Sequence, residues 1–142
     1  MSFTSIKFTS ESIGQITLFE KITKANVKDC FEDANKQLVF IVQQGDLQKA
    51  IGKQAKNVQK LKNLFNKSIR IIEFHDDVCT FIANVARPVK VTDVMNDGGE
   101  IYTIIPPDVK SRGLLIGRNA RVLRDNEQII KRYYPIQELR VQ

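Results

Sequence analysis

The chain has 142 residues, of which 42% are hydrophobic and 27% are charged, and its formal net charge is +6. This composition is typical of a folded globular protein. No apolar run approaches the roughly 18 residues that a membrane-spanning helix needs, and the N-terminus has no signal-like stretch. We therefore expect a cytoplasmic protein that does not contact membranes.

The first half is predicted to fold as α-β-β-α-α-β. Apolar residues at helical spacing predict a first helix, runs of β-branched and aromatic residues predict strands, and the turn-forming residues 33–36 join two of them into a hairpin. Gly45-Asp46 should cap a short helix that ends at Ile51. In chain order, the other predicted elements are a helix over 10–24, strands over 27–32 and 37–43, a helix over 55–66 and a strand over 68–74. On the longer second helix, we expect Val58, Leu61, Leu64 and Phe65 to share the buried face.

The second half repeats that order. Phe81, Ile82 and Val85 should face inward from its first helix, and Asn96-Asp97-Gly98-Gly99 is a strong hairpin turn. Asp108 follows two prolines and can cap a helix that ends at Ile116. The predicted elements are a helix over 77–86, strands over 89–94 and 100–105, helices over 108–116 and 120–133, and a strand over 136–141.

An internal repeat relates the two halves. A shift of 65 residues places Ile51-Gly52-Lys53-Gln54-Ala55-Lys56 on Ile116-Gly117-Arg118-Asn119-Ala120-Arg121, with every position identical or chemically similar. Apolar positions downstream stay in phase as well. We therefore expect an α+β protein of two tandem modules, residues 1–75 and 76–142, which pack together because each is too small for a large core of its own.

The excess positive charge lies in two segments, each of which holds one glycine loop. Residues 45–75 carry seven Lys/Arg against two Asp/Glu, and residues 110–142 carry eight against three. The rest of the chain carries seven basic and eleven acidic residues. Solvation of helix faces explains most basic runs, but two equivalent basic segments beside an acidic remainder favour a polyanionic partner.

Each glycine loop has the residue types that bind a polynucleotide backbone. Glycine permits a tight turn and close approach, the following helix N-terminus suits a phosphate, and the basic neighbour adds a charged contact. The apolar flank could form a floor for unstacked bases. The candidate RNA-binding residues are Lys49, Ile51, Gly52, Lys53, Gln54, Ala55, Lys56 and Val58 in the first half, and Arg112, Ile116, Gly117, Arg118, Asn119, Ala120, Arg121 and Leu123 in the second.

These segments, with Ile-Gly-x-x-Ala-x-x-Val/Leu between two helices, resemble the type II KH domain. The tandem arrangement is similar to that of the archaeal NusA-type transcription factors, and the likeness covers nearly the whole chain. The resemblance implies single-stranded RNA binding and a role in transcription termination or antitermination, with RNA polymerase or the transcription complex as a candidate partner. We expect a monomer.

The loops depart from the usual Gly-x-x-Gly pattern of KH domains at one position. Alanine replaces the second glycine in both copies, at Ala55 and Ala120. Alanine fits without penalty where the backbone has a helical, negative φ, and it is costly where φ is positive. Since both copies make the same change, we interpret it as a replacement that the loop geometry tolerates, and not as a loss of binding.

Catalysis finds no support in the sequence. The spacing around Gly52-Lys53 fails the phosphate-binding P-loop motif, and His75, the only histidine, lies at the junction of the halves. Cys30 and Cys79 lie in apolar patterns and should be core residues, with no cofactor or metal site. Tyr133 and Tyr134 could stack on bases or pack against the sheet. The alternatives to a transcription factor are a protein-interaction adaptor on RNA polymerase or the ribosome, and an RNA-processing or ribosome-associated KH protein.

Overall fold

The computed structural model describes residues 9–142, which fall into two units, residues 9–75 and Asp76–Gln142. Both units have the predicted order α-β-β-α-α-β, so the protein is α+β. The first unit contains α1 (Ser10–Thr23), β1 (Val27–Glu32), β2 (Leu38–Val42), α2 (Leu47–Ile51), α3 (Lys56–Phe65) and β3 (Ile69–Glu73). The second contains α4 (Val78–Ala86), β4 (Asp93–Asn96), β5 (Ile101–Ile105), α5 (Val109–Ile116), α6 (Arg121–Lys131) and β6 (Glu138–Val141).

Each unit has one three-stranded sheet, in the order β1-β2-β3 in the first and β4-β5-β6 in the second. The first pair in each sheet is antiparallel, as a hairpin requires, and the second pair is parallel. A parallel neighbour needs a crossover connection, and the two consecutive helices of each unit supply it. The loop between those two helices is therefore at an equivalent position in both units.

The core of the first unit lies between its sheet and helices. Phe19 of α1 stacks on Phe40 of the central strand, with ring centroids 4.2 Å apart. Cys30 and Leu61 are buried in the same cluster, as the sequence predicts. Leu64 differs from the prediction: it is 49% exposed, because Leu61 and Phe65, one helical turn apart, take the inward side of α3 and leave Leu64 at its edge.

The core of the second unit contains the predicted inward residues of α4: Phe81, Ile82 and Val85 are all buried. The rings of Tyr133 and Tyr134 contact Phe81 at centroid distances of 5.6 and 5.8 Å. These two tyrosines are thus packing residues. Burial and the charges of the neighbouring Asp76 and Asp77 raise the pKa of Tyr134 above its usual value.

Two local predictions need correction. The strand predicted at 89–94 lies at Asp93–Asn96, because Pro88 follows the end of α4 and the Val89 N–H bonds back to the Ala86 carbonyl in a turn. Pairing with β5 can begin only after that turn. Asp46 lies at the start of α2 but makes no capping hydrogen bond; its carboxylate accepts the Asn26 N–H at 2.8 Å instead.

Candidate nucleic-acid interface

The two glycine loops have nearly the same backbone. In the first, α2 ends at Ile51, Gly52 has φ +80°, and one tight turn, Lys53–Ala55, leads into α3. In the second, Gly117 has φ +73° and is followed by the turn Arg118–Ala120 and by α6. The loop residues that the repeat pairs in sequence therefore share one local conformation as well.

Glycine is required at the first position of both loops for two reasons. A positive φ disfavours any side chain, and a Cβ on Gly52 would lie 2.8 Å from the side-chain Cγ of Asn57. A Cβ on Gly117 would lie 2.5 Å from Cγ2 of Val122 and 3.0 Å from the Val122 backbone N. The loop thus lies directly against the first turn of the next helix.

The alanines at the fourth loop position contradict the sequence interpretation. Ala55 has φ 58° and ψ 27°, and Ala120 has φ 59° and ψ 24°, both left-handed. Gln54 and Asn119 before them are left-handed too, because two such residues in succession redirect the chain from one helix into the next. A non-glycine residue in this region costs about 1–2 kcal/mol. The second glycine has been replaced where glycine still fits best.

The helices that follow the loops begin without a side-chain cap. Thr9, Asp77 and Asp108 cap α1, α4 and α5 through hydrogen bonds to backbone N–H groups, whereas the residues preceding α3 and α6 are the alanines, which have no capping atom. The first N–H groups of these helices, those of Lys56 and Arg121, donate to the carbonyls of Lys53 and Arg118, and the helix N-termini carry a partial positive charge. Both loops therefore open onto a backbone that suits an anion.

The basic side chains divide into available and engaged groups. Lys53, Lys56, Arg118 and Arg121 are exposed, and within residues 9–142 their side chains form no ion pair. Two other candidates are engaged. Lys49 lies 4.0 Å from the Asp46 carboxylate, and Arg112 donates from Nε to the carbonyl of Gln142 at 3.0 Å.

The apolar flanks of the two loops differ. Ile51, Val58 and Ile116 are half-buried, but Leu123 is buried at 7% exposure and packs inside its unit. Next to Gly117, sequence reasoning missed two exposed apolar side chains, Leu114 at 56% and Val122 at 38%. The 65-residue shift could have found them, since it pairs them with polar residues.

Those polar residues are Lys49 and Asn57. Asn57 donates from Nδ2 to the Lys49 carbonyl at 3.1 Å, which shows that these two positions are neighbours in the first unit. The first loop is therefore flanked by polar groups and the second by apolar ones.

Metal ligands, thiols and membrane-spanning helices are the other features to consider in the described part of the chain. No cluster of three or more His, Cys, Asp and Glu side chains there could hold a metal ion. Burial, with a smaller effect of Asp29, raises the pKa of the Cys30 thiol to about 12, and burial also raises that of Cys79. No helix within residues 9–142 has the length and apolar content to span a bilayer.

Comparison with known proteins identifies the family. The KH domain family model matches residues 14–94, a range that contains the first glycine loop and ends before the second. The Methanocaldococcus jannaschii protein named "Probable transcription termination protein NusA" is 33% identical over 138 residues, covering 96% of this chain and 75% of that protein. This chain belongs to the archaeal NusA-type KH proteins.

Further relatives agree with this assignment. The NusA-type protein from Methanococcus vannielii, with the same printed name, is 33% identical and the match covers 79% of it. One from Thermoplasma acidophilum is 24% identical over 99% of both chains. The crystal structure of APE1850 matches this NusA-type chain with a TM-score of 0.76 and 21% identity over 95% of its length, which shows a common fold.

Proposed function

We propose that this NusA-type KH protein binds single-stranded RNA through both glycine loops, as two type II KH domains in tandem over residues 1–75 and 76–142. One observation carries the proposal. Two loops of matching backbone each join an uncapped helix N-terminus to exposed, unpaired basic side chains. Folding does not require an uncapped helix N-terminus beside unpaired basic side chains at either loop. A single polyanionic strand, in contrast, can bind such a group at both loops.

In this proposal the loops hold the RNA backbone. A phosphate lies against the first turn of α3 or α6, where it meets backbone N–H groups, and Lys53 or Arg118 supplies a charge-assisted contact. The methyl groups of Ala55 and Ala120 stand where glycine would leave room, so they limit how closely a phosphate approaches.

We further infer that the two loops recognise different parts of the strand. Beside the second loop, Leu114 and Val122 offer an exposed apolar surface on which an unstacked base can lie. Beside the first loop, Lys49 and Asn57 offer charge and an amide instead. The first loop then contributes mainly salt-dependent phosphate contacts, and the second adds base contacts that depend less on salt.

The biological role that fits this binding is termination or antitermination of transcription. The relatives from M. jannaschii and M. vannielii bear the name of transcription termination proteins. We propose that this chain acts on nascent transcripts as a monomer, with RNA polymerase or the transcription complex as its protein partner. The loops would then hold RNA as it leaves the polymerase.

The experiment that tests RNA binding reverses the loop charges and leaves the backbone intact. Affinity for a fluorescently labelled oligouridylate of about eight nucleotides, or four per module, is measured by anisotropy for the Lys53→Glu/Arg118→Glu variant. The expected result is a loss of about 10-fold or more, with wild-type binding that weakens steeply as salt rises. The Lys21→Glu/Lys90→Glu variant, which makes the same change in net charge at residues outside the two loops, is the control.

Two results would contradict the proposal. One is equal affinity for the loop variant and wild type while circular dichroism shows both folded. The other is a protein partner that is retained by the loop variant and after nuclease treatment, in the absence of RNA binding, which would identify an adaptor.

A further inference from the structure

A concentration of lysines on α3 extends beyond the first loop. From Lys53 to Lys67 the chain has five lysines and no acidic residue. Lys56, Lys60 and Lys62 are on α3 and exposed, and the half-buried Lys67 lies two residues after the end of the helix. We call Lys56, Lys60, Lys62 and Lys67 the α3 basic surface. Lys56 and Lys60 share one edge of the exposed side of the helix, and Lys62, two residues from Lys60, lies at its other edge.

The equivalent helix of the second unit has acidic residues among its basic ones: α6 carries three basic and two acidic residues, whereas α3 carries three lysines and no acidic residue. The 65-residue shift places Asp125 on Lys60 and Glu127 on Lys62. Glu127 is buried. Its carboxylate forms an ion pair with the Arg124 guanidinium at 2.7 Å and accepts a hydrogen bond from the backbone N–H of Leu139 at 2.8 Å. An acidic residue at this position therefore has a structural use in α6, and α3 has a lysine there instead.

Helix stability does not account for the α3 basic surface. Lys56 occupies the first residue of α3, where the helix dipole disfavours a positive charge. Lys56 and Lys60 are four residues apart, so they are neighbours that repel each other. Only Lys62, in the last turn, has a favourable place relative to the dipole. Lys56 and Lys60 therefore lower the stability of α3, and a bound polyanion would relieve their repulsion.

The far end of α3 offers a place for a phosphate. A shallow cavity of about 330 Å³ there is lined by Lys62, Asn63, Asn66, Lys67 and Ser68, all of which carry hydrogen-bond donors. Lys67 also pairs with Glu32 at 2.6 Å, and this contact holds the pKa of Glu32 below its usual range. The cavity thus combines a free lysine, Lys62, with amide and hydroxyl groups.

We propose that the α3 basic surface binds further backbone phosphates of the RNA held by the first loop, guiding the strand along α3 to this cavity. The inference rests on the proposed function. A helix of 10 residues is about 15 Å long, so the surface lengthens the contact well beyond the loop. Because Asp125 and Glu127 interrupt the equivalent charges, the extension exists in the first unit alone. The bound strand would be held over more nucleotides at one loop than at the other.

The test compares two RNA lengths in two variants. Oligouridylates of about 8 and about 16 nucleotides are titrated against wild type, Lys60→Gln/Lys62→Gln, and the control Lys21→Gln/Lys90→Gln, which loses the same charge. We expect the first variant to bind the short RNA like wild type and the long RNA about 5- to 20-fold more weakly. The slope of log affinity against log salt for the long RNA should fall by about 1.4, or 0.7 per lost phosphate contact.

The outcomes separate this inference from the proposed function. If wild type binds the short RNA and the two variants have equal affinity for the long RNA, the inference is wrong and the loop proposal stands. If the Lys60/Lys62 variant weakens both lengths equally, these lysines belong to the loop contact and the extended path is wrong. If wild type binds neither RNA, the proposed function fails and this inference fails with it.

Discussion

Restoring glycine at the fourth loop position should stabilise the protein. Ala55 and Ala120 have φ of 58° and 59°, a conformation that costs alanine about 1–2 kcal/mol and glycine very little. Glycine loses about 0.4–1 kcal/mol through the greater freedom of its unfolded chain. The net gain for Ala55→Gly or Ala120→Gly is then about 0.8 kcal/mol each, or roughly 2–6 °C in Tm.

Chemical denaturation gives the sign of this change, and the sign is decisive. Both variants should have a higher midpoint than wild type with an unchanged slope. Ala83→Gly, in the interior of α4, is the matched control and should lose about 1 kcal/mol. If Ala55→Gly and Ala120→Gly lose stability as this control does, the alanines have right-handed backbones and the loop geometry described above is wrong.

Three further predictions concern the loops, a thiol and a helix cap. Gly117→Ala should lower the free energy of unfolding in urea by about 2–4 kcal/mol, because its Cβ would meet Val122 atoms at 2.5–3.0 Å and its φ is positive. Gly52→Ala should cost less, because its Cβ would come no closer than 2.8 Å to the Asn57 side chain and 3.1 Å to the Asn57 backbone N. Equal costs would contradict these contacts. Cys30, with a pKa near 12, should resist a thiol reagent at pH 8 until urea unfolds the chain; reaction as fast as that of a free thiol would refute its burial. The Asp108 carboxylate has a lowered pKa because it accepts the Ser111 N–H as the cap of α5. Its contribution to stability is therefore present above pH 3.8 and is lost as the pH falls below that value. A midpoint at or above 3.8 in an NMR titration of Asp108 would contradict the cap.

Local signals in the sequence predicted most of the fold. The bounds of β1 are as predicted, and Asp77 and Asp108 begin their helices by accepting N–H groups of Thr80 and Ser111. Capping residues and hairpin turns act over a few residues, so a single sequence contains all the information they need. The 65-residue repeat then carried the order of elements from one half to the other.

The predictions that failed depend on features that a pattern of residue types does not contain. The φ of Ala55 depends on the angle between α2 and α3, and alanine is compatible in the sequence with either hand. The exposure of Leu64 depends on which edge of α3 its neighbours cover. At the candidate site, the repeat located the loops, but it also hid the difference between them, since Leu114 and Val122 become significant only when their exposure is known.

The central claim, that both glycine loops contact RNA, is tested most directly by following backbone amide signals during an RNA titration. In 15N-labelled full-length protein, a single-stranded oligouridylate should cause its largest shifts over residues 52–58 and 117–123, including the first N–H groups of α3 and α6. We expect both segments to show these largest shifts. If RNA binds but the signals of either segment do not move, the claim that both loops contact RNA is contradicted.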